Sequence, residues 1–122
     1  MARKDTKRRL DKLLAIAREL PEVDISGEEH LKFQVRRKTF AYYLDDHHGD
    51  GRVALCCKVN PLDQAELTEL DPERYFVPAY IGHRGFVGLR LDLAKIDWPE
   101  VSGLLLDAYC IQAPPKLAEQ VE

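Results

Sequence analysis

The chain has 122 residues, 45% hydrophobic and 32% charged, with a formal net charge of −3. That length suits one ordinary domain with its own core, expected over residues 1–122, and is too short for two. The mild acidity argues against a dedicated, strongly basic nucleic-acid binder. No apolar run approaches the ~18–20 residues that a membrane-crossing helix needs.

Charge is segregated along the chain. Residues 1–18 hold seven bases against two acids, and residues 19–29 hold five acids and no base. Residues 30–58 are again basic, with six bases against three acids, and residues 59–122 are acidic, with eleven acids against five bases. Such a layout permits a local anion-binding face on an acidic body. The run Met1–Arg9 is charged and leads into no apolar stretch of signal-peptide type, so the expected compartment is the cytoplasm. The cysteines are Cys56, Cys57 and Cys110. Neighbours on a strand point to opposite faces, so a Cys56–Cys57 bridge would be strained, and free, mostly buried thiols are expected. No Cys/His spacing of zinc type is present.

In chain order, Leu10, Leu13, Leu14, Ala17 and Leu20 form the apolar stripe of a first helix, with Asp5 or Thr6 as its cap and Pro21 at its end. Leu31, Phe33 and Val35 alternate with polar residues as a half-buried strand. Arg36, Arg37 and Lys38 then fall at a turn. A second strand sets Phe40, Tyr42 and Leu44 on one face and Thr39, Ala41 and Tyr43 on the other. Residues 46–51 make a polar, glycine-bearing hairpin loop. Val53, Leu55, Cys57 and Val59 supply the inner face of a third strand. A short helix is predicted over residues 62–70, closed by Asp71-Pro72. Residues 75–81 suit an extended segment, Gly82–Gly85 a turn, and residues 86–91 a last strand. Asp97 caps a final helix, with Pro99 in its first turn and Glu100 three residues on. Cys110 is expected on its core face, and Trp98 as a packing anchor. Residues 116–122 are expected as a frayed terminal turn. The order α-βββ-α-ββ-α with short hairpins predicts an α+β fold of two layers, a mostly antiparallel sheet with helices on one face.

Several segments resemble the MmcQ/YjbR-like family. Tyr80-Ile81-Gly82-His83-Arg84-Gly85-Phe86-Val87-Gly88-Leu89-Arg90-Leu91 is similar to its late hairpin. Ile96-Asp97-Trp98-Pro99-Glu100-Val101 is similar to its Asp-Trp helix start. Ala108-Tyr109 and Ala113-Pro114-Pro115-Lys116 are similar to its ending. Phe33, Lys38-Thr39-Phe40-Ala41 and the loop from Asp45 to Arg52 also fit. The ordered set covers almost the whole chain. The resemblance implies a two-layer α+β domain with a topology like that of secretion chaperones. It also implies a double-wing arrangement in which two β-hairpins grip DNA.

On that reading the nucleic-acid contacts are Arg36, Arg37 and Lys38 at one hairpin, His47, His48 and Arg52 at the next, and His83, Arg84 and Arg90 at the late hairpin. Arginine and lysine would meet phosphates, which position a duplex without reading bases. Histidine would donate when protonated. The bland readings are a solvated turn that blunts a sheet edge, a polar loop, and a glycine turn that only sets geometry. Lys7, Arg8, Arg9 and Lys12 would widen the basic surface. No G-x-S-x-G elbow, P-loop or G-x-G-x-x-G occurs, so no catalytic residue and no cofactor is expected. DNA is the expected partner, with a protein partner or a second copy as the alternative, and no membrane. A metal held by the His47/His48 loop is the third, weakest reading.

Overall fold

The computed structural model describes residues 3–122; Met1 and Ala2, which open the charged N-terminal run, lie outside the described residues. Six strands form one antiparallel sheet. They are β1 (Asp24–Gly27), β2 (Leu31–Val35), β3 (Lys38–Asp45), β4 (Val53–Lys58), β5 (Tyr75–Phe76) and β6 (Phe86–Arg90), in the spatial order β1-β2-β3-β4-β6-β5. The helices are α1 (Arg3–Ala17), α2 (Pro61–Leu70), α3 (Trp98–Gln112) and α4 (Pro115–Glu119). The α+β, largely antiparallel architecture predicted from the sequence is the one found.

Alternation decides which residues meet the helices. Leu31, Phe33 and Val35 of β2 point inward, with Leu55 and Cys57 of β4 and Val87 and Leu89 of β6. They pack against Leu13 and Ala17 of α1 and Val101, Leu105, Ala108 and Tyr109 of α3. Tyr109 is fully buried, and its ring meets Phe40 edge-on at 5.4 Å, a geometry worth ~0.5–1.5 kcal/mol beyond area burial. The Asp97 side chain accepts the N–H of Glu100 at 3.2 Å and starts α3 as expected.

The other face of the sheet is also covered. Leu44, Ala54, Cys56 and Phe86 form a second, smaller cluster with Ile81, which belongs to the segment between β5 and β6. This double cover is why β4 is buried at four successive positions rather than at every other one.

Five local expectations need correction. An extra strand, β1, lies within the acidic stretch; only Ile25 of its four residues is even partly buried, so no alternation marks it. In β3 a bulge opposite Phe33 and Gln34 inserts one residue, which turns Phe40 into the helical core beside Ala41 and leaves Tyr42 and Leu44 on the far face. Helix α1 begins at Arg3, so Asp5 lies inside it and pairs with Arg8 instead of capping. Extended structure stops at Phe76, because residues 77–81 leave the sheet to cover its outer face. The chain end forms α4, which buries Leu117 and Ala118.

Candidate nucleic-acid interface

The loop between β3 and β4 is a tight coil. Asp46, His48, Gly49 and Gly51 all have positive φ, at 53°, 53°, 72° and 70°. Asp46 N–H donates to the Arg52 carbonyl, while the Asp46 and Asp50 carboxylates accept the N–H groups of Gly51 and Arg52, all at 2.8 Å. Two non-glycine residues in the left-handed region are costly for L-amino acids, and these internal hydrogen bonds offset that cost.

This coil meets the segment that leaves β5. The His48 ring lies 4.4 Å from that of Tyr80, itself at φ 66° and largely exposed. The row continues from His48 to His47 at 4.1 Å and on to His30 at 5.6 Å, where the rings stand perpendicular. Arg52 lays its guanidinium 4.3 Å over the Phe76 ring. Burial, followed by the neighbouring His48 and His30, lowers the His47 pKa from its ordinary value.

Segment 77–84 is held at several points. Ile81 is buried in the outer-face cluster, and Gly82 sits so close to Val77 that a side chain there would strike the valine methyl. Gln64 of α2 donates to the carbonyls of Gly82 and Phe86 at 2.7 and 2.8 Å. The Lys58 ammonium donates to the Arg84 carbonyl, and Gly85 turns the chain into β6 at φ 88°. His83 and Arg84 are thereby left exposed on a fixed backbone.

The nine candidate residues fall into separate groups. His47, His48 and Arg52 share the coil, and His83 and Arg84 lie further along the segment that carries Tyr80. Arg36 and Arg37 are the two loop residues of the β2–β3 hairpin, at φ 49° and 68°, and Lys38 opens β3. They sit at the opposite end of β3 from the coil, roughly 25 Å away for eight residues at ~3.3 Å each. Arg36 is engaged by Glu22, through Nε at 2.7 Å and Nη2 at 2.9 Å. Arg90 makes the same kind of fork with Asp92, at 2.9 and 3.1 Å, and is partly buried. Among the described residues no ion pair engages Arg37, Lys38, Arg52 or Arg84.

The basic helix does not extend this surface. Lys7 and Arg8 pair with Asp11 and Asp5, and Arg9 donates to the carbonyls of Leu91 and Leu93. Lys12 lies 4.9 Å over the half-buried Trp98, on the helical side of the sheet. Two contributors, His30 and Phe76, were not singled out from the sequence, because neither lies near the coil along the chain. Cys56 is fully buried, which pushes its thiol up to about 12, and burial raises Cys57 well above the ordinary value. Neither is poised as a thiolate. Cys110 is only half-buried, at the margin of the core. Among the described residues no group of three or more His, Cys, Asp or Glu side chains is placed to hold a metal ion, and no helix is long and apolar enough to cross a membrane.

An antiparallel sheet with helices on one face and two loops closed over the other defines the structural class. The chain belongs to the YjbR family, whose family model matches residues 18–111. Its fold is similar to that in the crystal structure of Deinococcus radiodurans protein DR2400, described as a DUF419 domain. The TM-score is 0.72 at 20% identity, over 92% of this chain and 86% of that one. No curated protein matches the sequence.

Proposed function

We propose that the chain binds DNA through the outer-face surface built by the coil at residues 46–52 and the segment at residues 77–84. The observation that supports this most is the His48–Tyr80 contact, which joins two cation-bearing loops distant in sequence into one surface. Arg52, His83 and Arg84 supply donors for phosphates, and His47 adds charge once a phosphate favours its protonation. Tyr80 and His48 present aromatic faces on which a base can stack. Arg37 and Lys38 form a second contact at the far hairpin, with Arg36 held ready by Glu22. Phosphate contact of this kind carries little sequence preference.

The test is binding of a fluorescent duplex and a single strand across a salt series. With about four phosphate contacts the duplex affinity should fall with a log–log slope near −3.6. Arg52→Ala/Arg84→Ala should lower both affinity and slope, and Arg37→Ala/Lys38→Ala should do so to a smaller degree. Absence of binding at low salt, or binding indifferent to salt, would overturn the reading.

A further inference from the structure

On the helical side of the sheet a groove of about 920 Å³ separates α2 from α3, and at Val59, Asn60 and Ile111 it adjoins the turn that carries His83 and Arg84. Its walls include Leu67 and Leu70 of α2 and Leu104 and Ile111 of α3. Leu70 is 75% exposed and Ile111 42%. Helix α2 has no fully buried residue along its ten positions, although a helix that short normally depends on packing an apolar face. Its neighbours are β5 and β6, so its side towards α3 is left open.

The charged side chains that line the groove are all acidic. Asp63, Glu66 and Asp107 line it, exposed and without a cationic partner among the described residues. Glu100 also lines it but is neutralised by Arg74. No Lys, Arg or His is among the lining residues. The volume matches about two turns of a helix ~10 Å across with a 5.4 Å pitch.

We infer that this groove docks a basic amphipathic helix of a partner protein, its apolar stripe on the leucines and its Lys/Arg side chains on the acidic rim. Apolar anchors in a groove with opposite charge at the margin are a recurrent way to bind such a helix. A second copy fits poorly. The basic helix of this chain, α1, has already committed the apolar residues Leu13 and Ala17 to its own core.

Gly103 allows a clean test. It lines the groove, and a Cβ built on it enters open space, so Gly103→Phe obstructs the groove without disturbing the core. Gly103→Ala is the open-groove control. The probe is a fluorescein-labelled 16-residue Leu/Lys peptide of helical periodicity, with an order-scrambled peptide of equal composition beside it. Fluorescence anisotropy should show the periodic peptide binding the parent and Gly103→Ala, with at least tenfold weaker binding by the scrambled one. Gly103→Phe should abolish binding, and Glu66→Lys/Asp107→Lys should weaken it at least tenfold. Equal binding of the two peptides, or a Gly103→Phe variant that binds as the parent does, would reduce the effect to diffuse charge attraction and overturn the inference. A parent dimer in sedimentation that Gly103→Phe dissolves would assign the groove to a second copy instead.

Discussion

The hydroxyl of Tyr109 donates to the carbonyl of Pro21 at 2.7 Å, tying the last turn of α3 to the turn that follows α1. The ring beneath is buried against Phe40. Tyr109→Phe keeps the ring and removes only the donor, leaving the Pro21 carbonyl unpaired. Urea denaturation should show a loss of ~1 kcal/mol, the usual net worth of such a bond. Tyr109→Ala should cost ~3–5 kcal/mol, because it adds a cavity.

Gly88 and Phe76 face each other across β6 and β5, and the Phe76 ring occupies the space that a Gly88 side chain would need. A Cβ at Gly88 would lie 2.6 Å from two ring atoms. Gly88→Ala should therefore cost ~1–3 kcal/mol by overpacking. Gly88→Ala/Phe76→Leu should recover part of that loss, and a double-mutant cycle measures the coupling.

Arg37 sits in the left-handed region at φ 68° in a two-residue hairpin loop, where glycine is preferred. Arg37→Gly should raise stability by roughly 0.5–1 kcal/mol in urea, since relief of the strain exceeds the entropy glycine costs. The same change should weaken DNA binding, and that opposition is expected where strain is kept for function.

The lowered His47 pKa fixes the direction of a pH effect. The folded chain favours neutral His47, so this residue's contribution to stability is complete above the ordinary value of 6.5 and is lost as pH falls through the lowered folded value. Thermal melts between pH 7.5 and 5.5 should show a larger loss for the parent than for His47→Gln. Phosphate binding works the other way. Under the proposed function, DNA affinity should rise as pH falls from 7.5 to 6, and His47→Gln should flatten that rise.

Much of the architecture was legible in the sequence because burial there follows simple periods. The stripe from Leu10 to Ala17, the alternation from Leu31 to Val35 and the Asp97 cap each have one local solution, and each is found, whereas Leu20 falls in the turn past the end of α1 rather than on the predicted helix. The misplaced face of Phe40 has a nonlocal cause, since a bulge depends on how β3 registers with β2. Strand β1 was missed because its order comes from backbone pairing with β2 rather than from its own apolar residues. At the candidate site, the basic and histidine residues of the loops could be picked out by type. Their grouping could not, because it rests on residues 77–81 leaving the sheet and carrying Tyr80 onto His48. The fork of Arg36 with Glu22 was invisible too, because the two residues lie 14 positions apart in the chain.

The strand order also implies a route by which the chain folds. Strands β1 to β4 each pair with the next in sequence, so they can zip as a meander through short loops. Strand β6 reaches β4 only after the 27 residues between Lys58 and Phe86 have closed on themselves. Relative to a two-residue hairpin, that closure costs roughly 2 kcal/mol more in chain entropy. The nucleus should therefore lie in β2–β4, with the β5–β6 side joining late. Leu55→Ala should then mainly slow refolding, whereas Tyr75→Leu should mainly hasten unfolding, a division that a stopped-flow chevron reads directly.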